Sequence, residues 1–336
     1  MKHFDVFNGD ADGICALHQL RLWKPLRSVL ITGVKRDVAL LARVPPGAGI
    51  SVTVLDISLD SNRVALLALL RHGAEVEYFD HHFSGAVPEA PNLKPYIDTT
   101  PEVCTSLLVD RHIGGQHRLW AIVGAYGDNL LHAAGTLAAK CALQSGQAGQ
   151  LRELGEAINY NAYGESEADL LIPPARLYNT VRPYSNPFDF LANEPIARAL
   201  CNALRRDMER ALSLSADSVL ADGKIYVLPD EPWARRVRGA FGNFLATGSP
   251  DRAHAVLSQS AHGEYTVSVR APLAHPYGAA DLCRQFAAGG GREAAAGIGR
   301  LPHDRLGEFT LAFEKAFADG SQAQGPSAQA VRPSAQ

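Results

Sequence analysis

Apolar and polar positions along the first eighty residues switch repeatedly between a period of two and a period near 3.6. The run HFDVFN, residues 3–8, reads as a short strand, GDADG as a tight loop, and Ile14 to Trp23 as a helix with apolar positions at Ile14, Leu17 and Leu20 or Leu22. A second strand spans Val29 to Thr32. Asp37 is placed to cap a helix through VALLARV, the segment PPGAG breaks it, and the β-rich run ISVTVLD ends in the carboxylate of Asp56. The pattern then repeats: Asp60 or Ser61 caps a helix over NRVALLALLR, Gly73 ends it, and Glu75 to Phe79 is a strand closing on Asp80, His81 and His82. Strand and helix alternating at this spacing predict an α/β fold, a parallel sheet with helices on both faces.

From Pro101 to Tyr160 the pattern is mainly helical, although the apolar run LWAIVGAYG has no period that assigns it. The segment NYNAYGESEADLLIPPARLYNTVRPYSNPFDF is rich in Pro, Asn and Tyr and reads as irregular structure. Ile196 to Leu212 is a connecting helix, and β-type runs beyond Ser215 alternate with helical stretches, closing with an amphipathic helix from Asp304 that aligns Leu306, Phe309, Phe313 and Phe317. The expected organisation is a domain over 1–190, a connecting segment over 191–214, a smaller α/β domain over 215–318, and a disordered tail over 319–336 with almost no large apolar residue.

Composition narrows the class. A chain of 336 residues is long enough for two cores, and 46% hydrophobic with 20% charged residues is the balance of a soluble globular protein. Lys+Arg 32 against Asp+Glu 35, a net charge of -3, argues against a broad grip on long duplex DNA or an anionic membrane. The five cysteines form no CxxC pair, which fits reduced, buried thiols. The start MKHFDVFNGDADG has acids where a signal peptide needs an apolar stretch, so a cytoplasmic location is expected.

Four strand-end or loop segments carry potential metal ligands: Asp10 with Asp12, Asp56, Asp80-His81-His82, and Asp128. In a doubly wound sheet the carboxyl ends of the strands share one edge, so these residues converge on one crevice. Carboxylates gathered there repel unless cations neutralise them, and a carboxylate–imidazole set suits manganese or a related divalent ion. Taken singly each has another reading, Asp10 and Asp12 as a turn, Asp56 as a helix-preceding acid, Asp128 as a loop acid. Together they favour a site, most readily one with two ions about 3.5–4 Å apart around a shared water.

The run DADG, the strand-final Asp56, the triplet Asp80-His81-His82 and the pair Gly127-Asp128 resemble, in order and spacing, the four motifs of the DHH phosphoesterase superfamily. That group includes RecJ-like exonucleases, nanoRNases, cyclic-dinucleotide phosphodiesterases and a class of inorganic pyrophosphatases. AAGGGREAAAGIG, after YTVSVRAP, resembles the glycine-rich motif of the DHH-associated C-terminal domain. The resemblance implies a catalytic site in the cleft between two domains. In it Asp10 would serve a first ion, Asp12, His81 and Asp128 a second, and Asp56 would bridge them, with two divalent cations expected, manganese first and magnesium or cobalt as alternatives. It further implies that His82 meets the substrate phosphate while Asp80 orients the imidazoles, so that Asp56, Asp80 and His82 are the catalytic set, and that Gly289, Gly290, Gly291 and Arg292, with Arg270, bind substrate. Two positions depart from the family pattern. Val6 stands where many members have histidine, with Asn8 the nearest polar substitute as a ligand, and Arg292 stands where histidine is usual.

The expected activity is metal-dependent hydrolysis of short linear single-stranded nucleotides, dinucleotides or short oligonucleotides, to mononucleotides. Aromatic residues at 7% and the slightly acidic charge speak against a track for long strands. Nucleoside bisphosphates, cyclic dinucleotides and a non-catalytic nucleotide sensor are the alternatives, and homodimer formation stays open.

Overall fold

Strands with one apolar face, and with Asp5, Thr53 and Glu77 on the other, build the first sheet: β1 (Lys2–Phe7), β2 (Val29–Ile31), β3 (Ile50–Leu55), β4 (Glu75–Asp80) and β5 (Leu93–Ile97), ordered β2-β1-β3-β4-β5. Every neighbouring pair is parallel. The chain leaves β1 for β2 on one side and returns to β3 on the other, so the carboxyl ends of β1 and β3 flank the switch point at which such sheets take ligands. The computed structural model describes residues 2–259 and 263–318. Two compact units divide the chain: the first runs through Glu209 and includes Arg235–Val237, and the second takes Arg210–Ala234 and continues from Arg238.

One face of the first sheet packs Phe4, Val6, Val52, Val54, Val76 and Tyr78 against Leu66 and Leu69 of α2 (Leu59–Arg71). Leu40 and Leu41, from a short 3-10 turn at Leu40–Arg43, join that core. A full helix through VALLARV was the expectation. Instead Asn62, on α2, takes the backbone groups such a helix would use: its Oδ1 accepts the Leu41 N–H at 3.1 Å and its Nδ2 donates to the Val38 carbonyl at 2.7 Å. The α2 cap is Ser58, whose hydroxyl accepts the Ser61 N–H, rather than Asp60 or Ser61. On the other face α1 (Ala11–Trp23) sends Arg21 to buried Asp5 at 3.0 Å and Thr53 at 3.0 Å, which compensates a charge otherwise costly to bury.

The unassigned run is α4 (Arg118–Gly127), every residue of which from Trp120 on is buried, so no polar face reveals its period. It packs among α1, α3 (Thr105–His112), α5 (Leu131–Lys140) and α6 (Ser145–Ala162). The approach is close: a Cβ on Gly127 would lie 2.3 Å from the Ala11 Cβ and 2.9 Å from the Gly155 carbonyl oxygen. The proline-rich stretch read as irregular instead contains α7 (Pro174–Val181) and α8 (Pro187–Asn193), each with proline in its first turn, where the missing N–H is no loss. A strand absent from the sequence reading, β5, carries Pro95 and is tolerated because it is an edge strand. Helix α9 (Pro195–Leu212) contains the boundary between the units.

The second unit has β6 (Ser218–Val219), β7 (Gly223–Leu228), α10 (Pro232–Gly248), β8 (Ala253–Gln259), β9 (Glu264–Arg270), α11 (Ala279–Arg284), β10 (Gly289–Gly291), β11 (Ala295–Pro302) and α12 (Leu306–Phe317). Its sheet runs β10-β11-β9-β8-β7-β6, with β7 and β8 parallel through α10 and the other pairs antiparallel. Leu257, Val267, Val269 and Ile298 pack on Leu282 of α11 and on Phe309, Phe313 and Phe317 of the stripe expected of the last helix, with Leu306 partly buried against them. The expected tail over 319–336 lies outside the described residues. Among the described residues, no helix is long and apolar enough to cross a membrane.

Phe313 is fully buried at the centre of this second core. Phe313→Ala is expected to cost about 3–5 kcal/mol and lower the urea midpoint of the second unit's transition. A loss below about 1 kcal/mol would contradict the packing described.

Candidate metal centre

The acids are positioned by the backbone that precedes and faces them. Asp10 is the N-cap of α1, its Oδ1 accepting the Gly13 N–H at 3.0 Å. Asp12, one step into the same helix, spans the start of α3, where its two oxygens accept the Thr105 and Ser106 N–H groups at 2.7 Å each. Asp80, the last residue of β4, accepts the Leu59 N–H at the start of α2, at 3.3 Å. Three buried carboxylates thus sit at three helix N-termini, where free N–H groups and the helix dipole favour negative charge. Asp56 follows β3 with φ at +59°, a left-handed conformation that aspartate tolerates better than most residues and that is a recurrent form of strain at functional sites. Its Oδ1 accepts from the Thr105 hydroxyl at 3.3 Å. Asp128 is the C-cap of α4, and the close packing at Gly127 brings that end of the helix against α1.

These placements surround one imidazole. The Nδ1 of His81 meets the Val103 carbonyl at 2.8 Å, and since a carbonyl only accepts, Nδ1 carries the proton. In the neutral ring the Nε2 lone pair then points at Asp56 Oδ1 (3.3 Å), Asp128 Oδ2 (3.8 Å) and Asp12 Oδ2 (3.9 Å). Burial, then the negative charges of Asp10, Asp12 and Asp128, push the Asp56 carboxyl well above the usual carboxylate range. Carboxylate oxygens and an imidazole nitrogen, with a carbonyl behind the imidazole, form the donor set of a divalent-cation site, and these residues fit one.

His82 lies at the rim. Its Nδ1 donates to Asp80 Oδ1 at 2.8 Å, its backbone N–H donates to the same oxygen at 3.2 Å, and its side chain is 38% exposed. A ring nitrogen of His82 also falls within 4.8 Å of ligand atoms of Asp56 and His81. Asp80 accepts from His82 with one oxygen and from the Leu59 N–H with the other, so it ties the His82 ring to the start of α2.

The sequence reading overlooked Lys35, in the loop after β2. Its Nζ lies 2.5 Å from Asp10 Oδ2 and 2.9 Å from Asn159 Oδ1 on α6, and its backbone N–H donates to the Ala162 carbonyl at 2.9 Å. Burial alone would raise the Asp10 carboxyl, but the Lys35 charge, its hydrogen bond and the Gly13 N–H bring it down to about 2. Burial likewise opposes the Lys35 charge, and Asp10, Tyr163 and Asp128 more than offset it, holding the ammonium protonated. The carboxylate expected to serve a first ion is therefore already neutralised by the protein. Asn8 Oδ1 accepts the Asp10 N–H at 3.3 Å and braces the turn, while Val6 packs in the core with α2. The available signal for Lys35 was topological: parallel β1 and β2 release their following loops at the same sheet edge.

In the second unit the glycine-rich segment is β10 and its turn. Arg292 and Ala295 exchange backbone hydrogen bonds, and Ala295 pairs in register with Arg270 on β9, so β11 lies between Arg270 and the Gly289–Gly291 strand. Gly289 is obligatory, since a Cβ there would lie 1.8 Å from the Cys283 carbonyl oxygen. Gly290 has open space, and Arg292 is exposed. Arg270 is steered by Asn243 Oδ1 at 2.7 Å and the Ser268 hydroxyl at 2.9 Å.

No protein-family profile matches the sequence, and no curated protein does. Solved structures do match. A DHH-domain protein described as a member of a family of ribosomal proteins superposes with a TM-score of 0.66 at 13% identity, over 94% of this chain and 86% of that one. The exonuclease RecJ bound to manganese gives 0.61 at 16% identity, over 94% and 90%. A pGpG-specific phosphodiesterase from Vibrio cholerae gives 0.51 at 13% identity, over 95% and 100%. The protein has the DHH-domain fold.

Asp56→Asn preserves a side chain suited to the left-handed backbone. It is expected to leave the circular dichroism spectrum unchanged, to keep or raise the thermal midpoint of the metal-free protein, and to weaken manganese binding at least about tenfold by calorimetry. Undiminished manganese affinity in this variant would remove Asp56 from the centre.

Proposed function

We propose that this protein is a divalent-metal-dependent phosphodiesterase that hydrolyses short linear nucleotides to mononucleotides. The observation that carries the reading is the convergence of buried Asp12 and Asp56 and of partly exposed Asp128 on the Nε2 of His81, with a second, partly exposed histidine beside them. Similarity in fold to RecJ and to the pGpG-specific phosphodiesterase supports a phosphodiester substrate. A bound divalent ion, manganese in this reading, supplies a Lewis acid for a phosphoryl oxygen and lowers the pKa of water.

The chain's own residues do the rest. Asp12, Asp56, His81 and Asp128 hold the cation, and the Val103 carbonyl keeps His81 in the tautomer that ligates. Asp80 accepts a hydrogen bond from the Nδ1–H of His82, which leaves Nε2, when protonated, to donate to a phosphate oxygen as charge builds there. Arg270 and the open glycine hairpin ending at Arg292 have the chemistry of a phosphate grip, backbone that a ligand can approach and a planar fork of donors. The mild net charge and the sparse aromatics favour a short substrate over a long strand.

The test is product release from linear dinucleotides, cyclic dinucleotides, nucleoside bisphosphates and pyrophosphate, in manganese and in chelator. Mononucleotides released from linear dinucleotides in manganese, and reduced to the chelator level in Asp56→Asn, are expected. Pyrophosphate turnover far faster than dinucleotide cleavage, or tight nucleotide binding with no product from any substrate, would overturn the assignment.

A further inference from the structure

The Asp10 side of the centre does not match a second cation. What sets Asp10 apart from Asp12, whose two oxygens also accept N–H groups, is a full positive charge: its Oδ2 meets the Lys35 ammonium at 2.5 Å while its Oδ1 accepts the Gly13 N–H. Lys35 is held in place rather than swinging from the surface: its backbone is tied to the Ala162 carbonyl, its Nζ also donates to Asn159 Oδ1, and the ammonium stands 5.6 Å from the centre of the Tyr163 ring. The neighbouring positions add no ligand, since Val6 is packed in the apolar core and Asn8 Oδ1 is engaged with the Asp10 N–H.

We infer that the Lys35 ammonium replaces one metal ion, so that the centre holds a single divalent cation, on Asp12, Asp56, His81 and Asp128. This rests on the metal-dependent reading above. The charge count of Asp10, Asp12, Asp56 and Asp128 does not separate one ion from two, but repulsion does: a second ion beside Asp10 would meet the like charge of the Lys35 ammonium at close range. A fixed ammonium supplies permanent positive charge at Asp10 without an exchangeable ligand position, so the water-activating role falls to the one ion.

Manganese stoichiometry in the 336-residue chain, by equilibrium dialysis with elemental analysis, tests this directly, and the electron paramagnetic resonance spectrum of the loaded protein gives a second readout. One manganese per chain with the hyperfine-resolved spectrum of an isolated ion is expected. Lys35→Arg should keep one, and Lys35→Met, which removes the charge and nearly preserves the volume, should admit a second, with spin coupling between the two. Two coupled ions in the unaltered protein would overturn the single-ion inference and leave the metal-dependent reading standing. No bound manganese in the unaltered protein would overturn both. Should Lys35→Met fail to fold, the stoichiometry and spectrum of the unaltered protein decide the question alone.

Discussion

Buried like charge is the constraint around which the first unit is arranged. Asp10, Asp12, Asp56 and Asp80 are almost wholly out of solvent, and Asp12, Asp56 and Asp128 crowd one imidazole nitrogen. In a low-dielectric interior such a cluster is strongly unfavourable unless each charge meets something positive. The fold supplies three kinds of compensation. Helix N-termini meet Asp10, Asp12 and Asp80, an ammonium meets Asp10, and His82 meets Asp80. Asp12 shares in this compensation through Thr105 and Ser106, whereas Asp56, 3.3 Å from the His81 nitrogen, accepts from the Thr105 hydroxyl, and that side of the centre has the character of a cation site.

The same requirement explains features that are costly by themselves. Asp56 accepts a left-handed backbone in order to turn its carboxylate from the end of β3 into the crevice, a conformation in which a β-branched residue would be strained. Gly127 gives up side-chain packing so that α4 can press on α1 and α6 and deliver Asp128 from its last turn. Local propensity is set aside at both positions, and both adjoin the cluster.

Lys35 changes the balance of the centre as well as its count of charges. A metal ion can exchange ligands and present a water, whereas an ammonium tied to Asp10 and Asn159 is a fixed charge with its donors directed. The centre is accordingly asymmetric, with a rigid, protein-neutralised half at Asp10 and a ligand-accepting half at His81. His82, half-exposed and oriented by Asp80, lies beside the second half.

Much of this was legible along the chain because it is local. Alternating periodicity marks β1, β3, β4, α2 and the phenylalanine stripe of α12, and strand-end acids in a parallel sheet must share an edge. The sequence by itself therefore determined the α/β class and the candidate ligands Asp10, Asp12, Asp56, His81 and Asp128. Tertiary structure alone decided what depends on partners distant in sequence. Asn62 reduces the expected VALLARV helix to a single 3-10 turn by claiming its backbone groups, complete burial conceals the period of α4, and prolines in a stretch read as irregular prove to start α7 and α8. Lys35 belongs to the same class: an isolated lysine after a short strand is unremarkable until the pairing of β1 with β2 and the packing of α6 bring Asp10 and Asn159 to it. A residue's chemistry is written in its side chain, but whether a carboxylate is free to bind a cation depends on which charge folding has already placed against it.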